Sequence, residues 1–305
     1  MDMFDRRGML RCMGWAGTGA LFTLGGGIPG SITLDAALGA TPKPGFSFLQ
    51  ISDTHLGFNK PANPDPLGTL KEVIAKAKAL PVRPDFIIHT GDVTHLATPE
   101  QFDLAQQMLG EFGVPIHVVP GEHDIVDGND PRPFLDRFGR AARGEGWYSF
   151  DAGGAHFVAL VNSIHLGDRG MGTLGEAQLA WLGQDLAGRS ASTPIIVFAH
   201  FPLWDLYSDW GWGTADGAQA LSLLKRFGSV TVLNGHIHQV QQKIEGDLTF
   251  HTARSTAYPQ PAPGEGAGPG PLVLPSVQLR SAIGLRSVTL RQGAGPIAIT
   301  DTPLA

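Results

Sequence analysis

Short apolar runs alternate with longer amphipathic stretches from Gly45 onward, and this alternation restricts the folds that the chain can adopt. The apolar runs are rich in Val, Ile and Phe and have the length of buried strands; they cover 46–51, 86–89, 116–119, 195–199 and 230–233. Four stretches between them have the pattern of helices: 67–80, 98–112, 174–187 and 215–227. Because strands that alternate with helices form parallel sheets, the pattern predicts an α/β fold with a largely parallel sheet.

A second group of strands is predicted at 147–151, 155–162, 239–244, 248–252 and 287–291. Gly153-Gly154 and Gly246-Asp247 provide tight turns between neighbouring members, so we expect this group to be antiparallel. One helix start is also explicit, because Thr98 can cap a helix that begins at Pro99 and has Gln101 at its third position.

Composition narrows the class of protein. The chain has 305 residues, of which 42% are hydrophobic, and this size suits one large domain or two small ones. Its 22 basic and 28 acidic residues give a net charge of -6, which argues against a nucleic-acid partner but not against a small anionic substrate beside bound cations. The single cysteine, Cys12, excludes an intramolecular disulfide and a thiolate zinc site.

Residues 1–42 are typical of an export signal. The segment from Asp5 to Arg11 holds the pair Arg6-Arg7, an apolar pair and a further arginine, as twin-arginine signals do. A Gly-rich, moderately apolar stretch follows at 13–32, and Pro29 interrupts it, so no stable membrane span is expected. We therefore expect the twin-arginine export machinery to carry the chain to a bacterial periplasm, with the folded domain at 43–305; a disordered basic start is the alternative.

Imidazole and carboxylate side chains follow every strand of the first group. The strand ends read Asp53-Thr54-His55, Gly91-Asp92, Gly121-Glu122-His123-Asp124, His200 and Gly235-His236-Ile237-His238. The carboxyl ends of parallel strands form the edge where α/β sheets build their sites. A single histidine after a strand is usually structural, but five such strand ends in order indicate a functional site.

The donor types indicate metal binding. Imidazole and carboxylate donors without sulfur suit Mn, Fe, Zn or Ni, and there are more of them than one ion can use. Two ions that share a carboxylate can clamp a phosphate, generate hydroxide near neutral pH and stabilise a leaving oxygen. The sequence thus points to a binuclear centre that acts on a small phosphoester substrate.

In this order of motifs the chain resembles the calcineurin-like metallophosphoesterase superfamily, and within it the class III cyclic nucleotide phosphodiesterases and similar bacterial enzymes. The shared pattern is Asp-x-His, Gly-Asp, Gly-Asn-His-Asp/Glu, His and Gly-His-x-His, and it covers residues 46–240. The resemblance implies a four-layer sandwich of two mixed β-sheets flanked by helices. It also implies two divalent or mixed-valence metal ions, Mn, Fe or Zn, and hydrolysis of a phosphodiester or phosphomonoester.

The resemblance also assigns roles. The first ion would be bound by Asp53, His55 and His238, the second by Glu122, His200 and His236, and Asp92 would bridge them. Metal-bound hydroxide would attack phosphorus while His123 orients the phosphate and protonates the leaving oxygen. Asp124 would hold His123 in its useful tautomer. The alternative is a catalytically silent metal- or ligand-binding relative of such enzymes.

Glu122 departs from the family pattern, which usually has Asn at this position. Two divalent ions carry four positive charges, and the carboxylates of Asp53, Asp92 and Glu122 with a bridging hydroxide cancel all four. An Asn would leave one positive charge. Because a neutral core attracts an anionic phosphate less, we expect a changed metal preference or loss of activity.

Two further features leave alternatives open. His95 lies three positions after Asp92, where the purple acid phosphatases have a metal-binding Tyr, and it either approaches the metals or forms hydrogen bonds within its loop. The segment 201–214 forms either a stacking surface beside the site or ordinary packing; its aromatic residues include Trp204, Tyr207, Trp210 and Trp212. Three histidines inside predicted strands are expected to be structural: His89, His117 and His156.

Overall fold

A computed structural model of the chain describes residues 20–25, 28–33, 45–125, 129–290 and 297–305. The chain divides into two compact units, Met1–Gly45 and Phe46–Ala305. In the first unit, β1 (Ala20–Gly25) and β2 (Ile28–Thr33) form an antiparallel pair. The paired arginines of the predicted export signal lie outside the described residues. Within the described part, none of the helices has the length and apolar character needed to cross a membrane.

The second unit contains two mixed β-sheets. The five-stranded sheet has the order β13-β12-β3-β4-β5. Its strands are β3 (Phe46–Ile51), β4 (Phe86–His89), β5 (Ile116–Val118), β12 (Gly284–Leu290) and β13 (Ala298–Pro303). The six-stranded sheet has the order β10-β11-β9-β8-β7-β6. Its strands are β6 (Tyr148–Ala152), β7 (Ala155–Ala159), β8 (Ile195–Phe198), β9 (Val230–Asn234), β10 (Gln241–Glu245) and β11 (Leu248–Thr252).

Six α-helices accompany the sheets in the described residues. They are α1 (Pro66–Lys78), α2 (Pro99–Gly110), α3 (Arg132–Phe138), α4 (Glu176–Leu186), α5 (Gly217–Leu224) and α6 (Ser276–Ala282). The predicted start of α2 is confirmed, since the Thr98 hydroxyl accepts a hydrogen bond from the Gln101 amide at 3.3 Å. The start of α1 follows the same rule, with the Asp65 carboxylate accepting from the Gly68 amide at 2.8 Å.

The predicted four-layer sandwich is confirmed by the way the core is divided. Phenylalanines of both sheets face one another between the sheets; among them are Phe48, Phe86, Phe157 and Phe198. On the outer face of the five-stranded sheet, alternate residues of β3 such as Leu49 pack against α1, α2 and α3. On the outer face of the six-stranded sheet, Val197 and Val232 pack against α4 and α5. Each sheet is therefore apolar on both faces, which explains why its parallel strands have continuous apolar sequences.

The predicted grouping of strands is wrong in one respect. β8 and β9 do not continue the sheet of β3, β4 and β5; they lie in the other sheet, where β8 pairs in parallel with β7 and β9 pairs in parallel with β11. Conversely, β12 joins the five-stranded sheet beside β3. The two glycine turns do connect antiparallel pairs, β6–β7 and β10–β11, as predicted. Apolar periodicity identifies a buried strand, but it does not say which of two equally apolar sheets that strand joins.

Candidate metal centre

The predicted ligands converge where strands of both sheets end. Asp53 and His55 follow β3, Asp92 follows β4 and Glu122 follows β5, while His200 follows β8 and His236 and His238 follow β9. In the described residues they form two sets of donor atoms, each set lying within 4.8 Å: Asp53, His55, Asp92 and His238, and Glu122, His200 and His236. Each set takes residues from both sheets, so a cation bound to either would connect the two sheets.

In the first set the donor atoms approach one another at contact distance. His55 Nε2 lies 3.3 Å from His238 Nε2 and 3.5 Å from Asp92 Oδ2. His238 Nε2 lies 3.3 Å from Asp53 Oδ1. All four side chains are at most 2% exposed. The first set is thus a buried cluster of two imidazoles and two carboxylates.

The second set is more open and is arranged around Glu122. His200 Nε2 lies 2.7 Å from Glu122 Oε2, and His236 Nδ1 lies 3.1 Å from Glu122 Oε1. The side chains of Glu122 and His236 are 26% and 11% exposed, whereas His200 is fully buried. Access from solvent to the centre is therefore on the side of Glu122 and His236.

Backbone carbonyls select the tautomers of two histidines. His200 Nδ1 donates to the Thr90 carbonyl at 2.7 Å, and His238 Nδ1 donates to the Tyr258 carbonyl at 2.6 Å. With the proton on Nδ1, the lone pair of each ring lies on Nε2, the nitrogen that faces the donor cluster. Such a hydrogen bond from Nδ1 to a backbone carbonyl orients a metal-binding histidine.

The backbone is strained at most of these residues. Five of the seven have a left-handed conformation, with φ of 52° at Asp53, 41° at His55, 54° at Asp92, 67° at His236 and 54° at His238. Residues other than Gly rarely adopt this backbone conformation, and each such residue costs on the order of 1–3 kcal/mol of conformational free energy. Such strain is characteristic of functional sites, because the surrounding structure must hold the side chains in place.

Glycines before the ligands permit close backbone approach. A Cβ on Gly235 would collide with the Ser52 hydroxyl and lie 2.7 Å from Asp53 Oδ2, and one on Gly121 would lie 2.6 Å from Asp92 Cγ. Neither glycine has a positive φ, so space rather than conformational freedom explains both. The turn residues predicted from sequence thus let the segment after β9 approach the segment after β3, and the segment after β5 approach the segment after β4.

The chemistry of the donor set fits cations. Four buried donor atoms form no hydrogen bond with the described residues: Asp53 Oδ2, Glu122 Oε2, His200 Nε2 and His236 Nδ1. Although His200 Nε2 and Glu122 Oε2 are close, they are not aligned as donor and acceptor. Buried polar atoms without partners are costly, and nitrogen and oxygen donors of this kind suit Mn, Fe or Zn. The residues present therefore fit a pair of metal ions.

Charge coupling within each set is strong. Burial would raise the pKa of Glu122, but His236 and His200 hold it well below its ordinary value. Burial would likewise lower the pKa of His200, yet Asp92 and Glu122 raise it well above its ordinary value. Burial would also raise the pKa of Asp53, but His238, His200 and Ser52 together lower it. The carboxylates thus give the centre a negative electrostatic potential, which favours positive charge there.

His123 lies beside both sets without belonging to either. Its amide donates to Asp92 Oδ1 at 2.9 Å, and its ring Nδ1 donates to the His95 carbonyl at 3.0 Å. A ring nitrogen of His123 lies within 4.8 Å of carboxylate oxygens of Asp92 and Glu122. Burial would lower the pKa of His123, but these two carboxylates raise it. The ring is therefore held in one orientation and biased toward the protonated form.

The role predicted for Asp124 is wrong. Its carboxylate accepts hydrogen bonds from the Val93 and Thr94 amides, the Thr94 hydroxyl and the Gly121 amide at 2.8–3.0 Å, and none of them comes from the His123 ring. Burial and the nearby Asp92 raise the pKa of Asp124 to about 6. Asp124 fixes the backbone that carries Asp92, whereas the His95 carbonyl orients His123. His123 and Asp124 are adjacent in the 3-10 helix Glu122–Asp124, and successive residues of such a helix point in different directions.

Of the two alternatives for His95, the structure agrees better with the one in which His95 approaches the metal centre. Its ring stacks on His123 with centroids 4.7 Å apart, and its Nδ1 lies 3.4 Å from His55 Nδ1. Burial, followed by repulsion from His123, lowers the pKa of His95 to about 4. The His95 ring is therefore packed against both His55 and His123.

The remaining histidines lie away from the donor atoms. His89 pairs with the Thr54 hydroxyl at 3.2 Å, and His117 stacks on Phe150 with centroids 3.9 Å apart. His156 is buried between Asp151 and Asp185, with both ring nitrogens 2.7 Å from carboxylate oxygens. These contacts agree with the structural roles predicted for all three.

The aromatic segment 201–214 mainly packs. Trp212 is fully buried, and Trp204 packs on Phe250 with centroids 5.0 Å apart. Tyr207 and Trp210 contact each other and are partly exposed. Only Phe201 reaches the centre, its ring 3.9 Å from that of His236. Ordinary packing is thus the better description of most of this segment.

Tyr258 is a site residue that the sequence motifs do not reveal. Its hydroxyl lies 3.2 Å from His55 Nε2, and it is only 4% exposed. Burial, then Asp92 and Asp53, raise its pKa well above the ordinary value. The only sequence signal is its place shortly after β11, the strand that pairs with β9, and no spacing rule connects it to the ligands.

A four-layer sandwich with a donor cluster of this kind defines a class of protein, the metal-dependent hydrolases of phosphoric esters. The comparison with known proteins agrees: residues 46–240 match the calcineurin-like phosphoesterase family. The chain belongs to this family.

Two bacterial relatives and one solved structure show the extent of the similarity. A probable cyclic nucleotide phosphodiesterase of Psychrobacter arcticus is 26% identical over 72% of this chain and 82% of its own length. A 3′,5′-cyclic-nucleotide phosphodiesterase of Nostoc is 28% identical over 70% of this chain and 79% of its own length. A dimetal phosphatase from Danio rerio superposes with a TM-score of 0.66 at 16% identity and covers 86% of this chain and 98% of that one. This structural likeness supports the fold.

Proposed function

We propose that the chain hydrolyses phosphodiesters at two metal ions. Asp53, His55 and His238 would hold the first ion, Glu122, His200 and His236 the second, and Asp92 would bridge them. When bound, the ions would supply Lewis acidity and lower the pKa of coordinated water. The donor set contains only nitrogen and oxygen atoms, so Mn, Fe and Zn would all fit it.

The position of Asp92 is the observation that carries this proposal. One of its oxygens, Oδ2, lies 3.5 Å from His55 Nε2 in the first set and 3.5 Å from His200 Nε2 in the second. A carboxylate equally close to both sets is placed to be shared. Its other oxygen, Oδ1, accepts from the His123 amide at 2.9 Å, which fixes the side chain.

His123 is placed to move the proton of the reaction. Because its Nδ1 donates to the His95 carbonyl, its other nitrogen is left to face the substrate. The carboxylates of Asp92 and Glu122 favour its protonated form, which can give a proton to a departing alkoxide. A ring nitrogen of His123 also lies within 4.8 Å of Glu122, whose side chain is 26% exposed.

Charge balance and relatives favour diesters over monoesters. Two divalent ions would carry four positive charges, which the carboxylates of Asp53, Asp92 and Glu122 together with a hydroxide would cancel. Such a neutral centre would accept the single negative charge of a phosphodiester more readily than a phosphomonoester, which carries about −1.5 to −2. The relatives named above are cyclic nucleotide phosphodiesterases, and a third, from Enterobacter lignolyticus, is a glycerophosphodiester phosphodiesterase that is 26% identical over 62% of this chain.

Elemental analysis and a substrate panel test the proposal together. The purified chain should contain about two Mn, Fe or Zn ions and should turn over an aryl phosphodiester faster than the matching phosphomonoester. Cyclic nucleotides and glycerophosphodiesters in the same panel then define the natural class. Two bound metals with no turnover of any ester would instead support the catalytically silent alternative, and absence of metal would refute the centre itself.

Replacement of Glu122 tests the second ion. Glu122→Asn removes one negative charge, so the centre becomes more electrophilic, but an amide oxygen holds the metal less tightly than a carboxylate. With scarce Mn the variant should therefore be less active than the parent, and with saturating Mn it should equal or exceed it. Glu122→Ala, which has no donor atom, should be poor at both concentrations. Identical titration curves for the Asn and Ala variants would show that residue 122 is not a ligand.

Export is proposed on the N-terminal sequence alone. The Arg6-Arg7 pair supports the twin-arginine route, which carries folded proteins, so the centre would be loaded before export. Changing both residues to Lys should leave active, metallated protein inside the cell and little in the periplasm, as measured by fractionation and assay. Undiminished export of the double variant would remove the signal assignment.

A further inference from the structure

Tyr258 contacts two predicted ligands of the first ion in three ways. Its hydroxyl lies 3.2 Å from His55 Nε2, the nitrogen that faces the donor cluster. Its ring lies against the rings of His55 and His238, with centroids 4.9 Å and 4.7 Å apart. Its carbonyl accepts the His238 Nδ1 proton at 2.6 Å. No other described residue touches both histidines of the first set through its ring, its hydroxyl and its backbone.

The hydroxyl is held rigidly at this place. The Tyr258 amide donates to Ser255 Oγ at 3.1 Å, and that hydroxyl donates to the Asp53 carbonyl at 2.8 Å. Phe58 covers the ring, with centroids 4.3 Å apart. A donor fixed in this way requires little reorganisation when a charged group arrives, and such donors contribute most to stabilising charge.

Metal binding would take away the only acceptor of this hydroxyl. Among the described residues, His55 Nε2 is its single hydrogen-bond partner. Once that lone pair binds a cation, the buried O–H has no acceptor, and an unsatisfied buried donor is unfavourable. The oxygen that completes the shell of the first ion can supply the missing acceptor. In a phosphoester hydrolase this oxygen includes a phosphoryl oxygen of the substrate.

We propose that the Tyr258 hydroxyl donates a hydrogen bond to the phosphoryl group bound at the first metal ion. This role rests on the proposed two-metal centre. It makes Tyr258 a neutral partner of the substrate, in contrast to His123, which transfers a proton. The hydroxyl would then stabilise bound phosphate as well as the more highly charged transition state.

Tyr258→Phe removes only the hydroxyl, and the experiment uses the full chain loaded with Mn. Calorimetric titration with inorganic phosphate should show about 10–100-fold weaker binding, as expected for loss of one hydrogen bond to a charged group. The Mn content and the thermal midpoint should match the parent, because the ring and carbonyl remain. Tyr148→Phe is the matched control: Tyr148 is also buried, but its hydroxyl donates to the Val118 carbonyl at 3.2 Å. The control should bind phosphate like the parent.

Two results would overturn this role. Unchanged phosphate affinity in Tyr258→Phe would show that the hydroxyl only packs against His55. Loss of about one Mn per chain would show instead that the hydroxyl is a metal ligand. A parent protein that binds neither Mn nor phosphate would contradict the proposed function rather than the role of Tyr258, so the two failures are distinguishable.

Discussion

Asp92→Ala should lose its metal and its activity together. Among the carboxylates of the described residues, Asp92 alone lies within 3.5 Å of a histidine in each donor set, so its removal takes a donor from both proposed ions at once. It would also leave His200 and His55 without the carboxylate that attracts a cation between them. Loss of an outer-shell partner already weakens metal binding by about 10–100-fold, and loss of a bridging ligand should exceed that. We expect turnover to fall to background.

His123→Ala is the comparison that separates loss of a metal ligand from loss of a neighbouring side chain. His123 contributes its backbone amide to Asp92, and alanine preserves that amide, so this variant should keep about the parent metal content. Metal content after gel filtration, measured beside circular dichroism, separates metal loss from unfolding. Asp92→Asn provides a second test, because the amide keeps the shape of the side chain while removing its charge. Equal metal loss from the Asp92 and His123 variants would contradict the bridging role.

The convergence of the seven donors could be predicted because each signal is local. A Gly or a short polar motif follows an apolar run, and the chain direction then puts that motif at the carboxyl edge. Yet the prediction placed all five strands in one sheet, whereas His200, His236 and His238 come from the other. The donors still converge because residues that follow strands of both sheets meet at the centre, although those strands are not neighbours in one sheet.

The residues that orient the ligands could not be predicted in the same way. The partner of His123 is a backbone carbonyl, that of His95, and a carbonyl carries no side-chain signal in the sequence. Asp124 is adjacent to His123 and looked like its partner, but the turn directs it to the Asp92 loop. Tyr258 is 203 residues from His55 in the chain, and the pairing of β11 with β9 and the hydrogen bond from Ser255 to the Asp53 carbonyl bring it near. Contacts between residues so far apart in the chain leave no periodic pattern in the sequence from which they could be predicted.

The strain at the ligands also becomes visible only in the structure. Asp and His tolerate a left-handed backbone better than most residues, so the sequence permits this conformation without requiring it. In the structure, five ligands adopt it together, which suggests that the turns are shaped by the donor geometry rather than by local preference. The same turns determine how His123 is presented, because its amide and Asp92 are joined by a hydrogen bond.

His123→Ala should slow hydrolysis in a manner that depends on the leaving group. A poor leaving group such as an alkoxide needs a proton as its bond to phosphorus breaks, and loss of a positioned acid lowers such rates by about 10²–10⁴-fold. A nitrophenolate leaves without protonation, so the same variant should lose much less activity on a nitrophenyl diester. The rates of both substrates are measured for parent and variant at saturating Mn, which removes any contribution from metal occupancy.

His165→Ala is the control, since His165 is an exposed histidine that pairs with Glu145 at 3.0 Å and belongs to none of the donor groups. Its rates should match the parent on both substrates. The structure favours proton donation by His123 for two reasons: Asp92 and Glu122 raise its pKa, and the His95 carbonyl holds one ring nitrogen so that the other is free. If the alkoxide and nitrophenolate substrates slow by the same factor, His123 orients the phosphate without donating a proton.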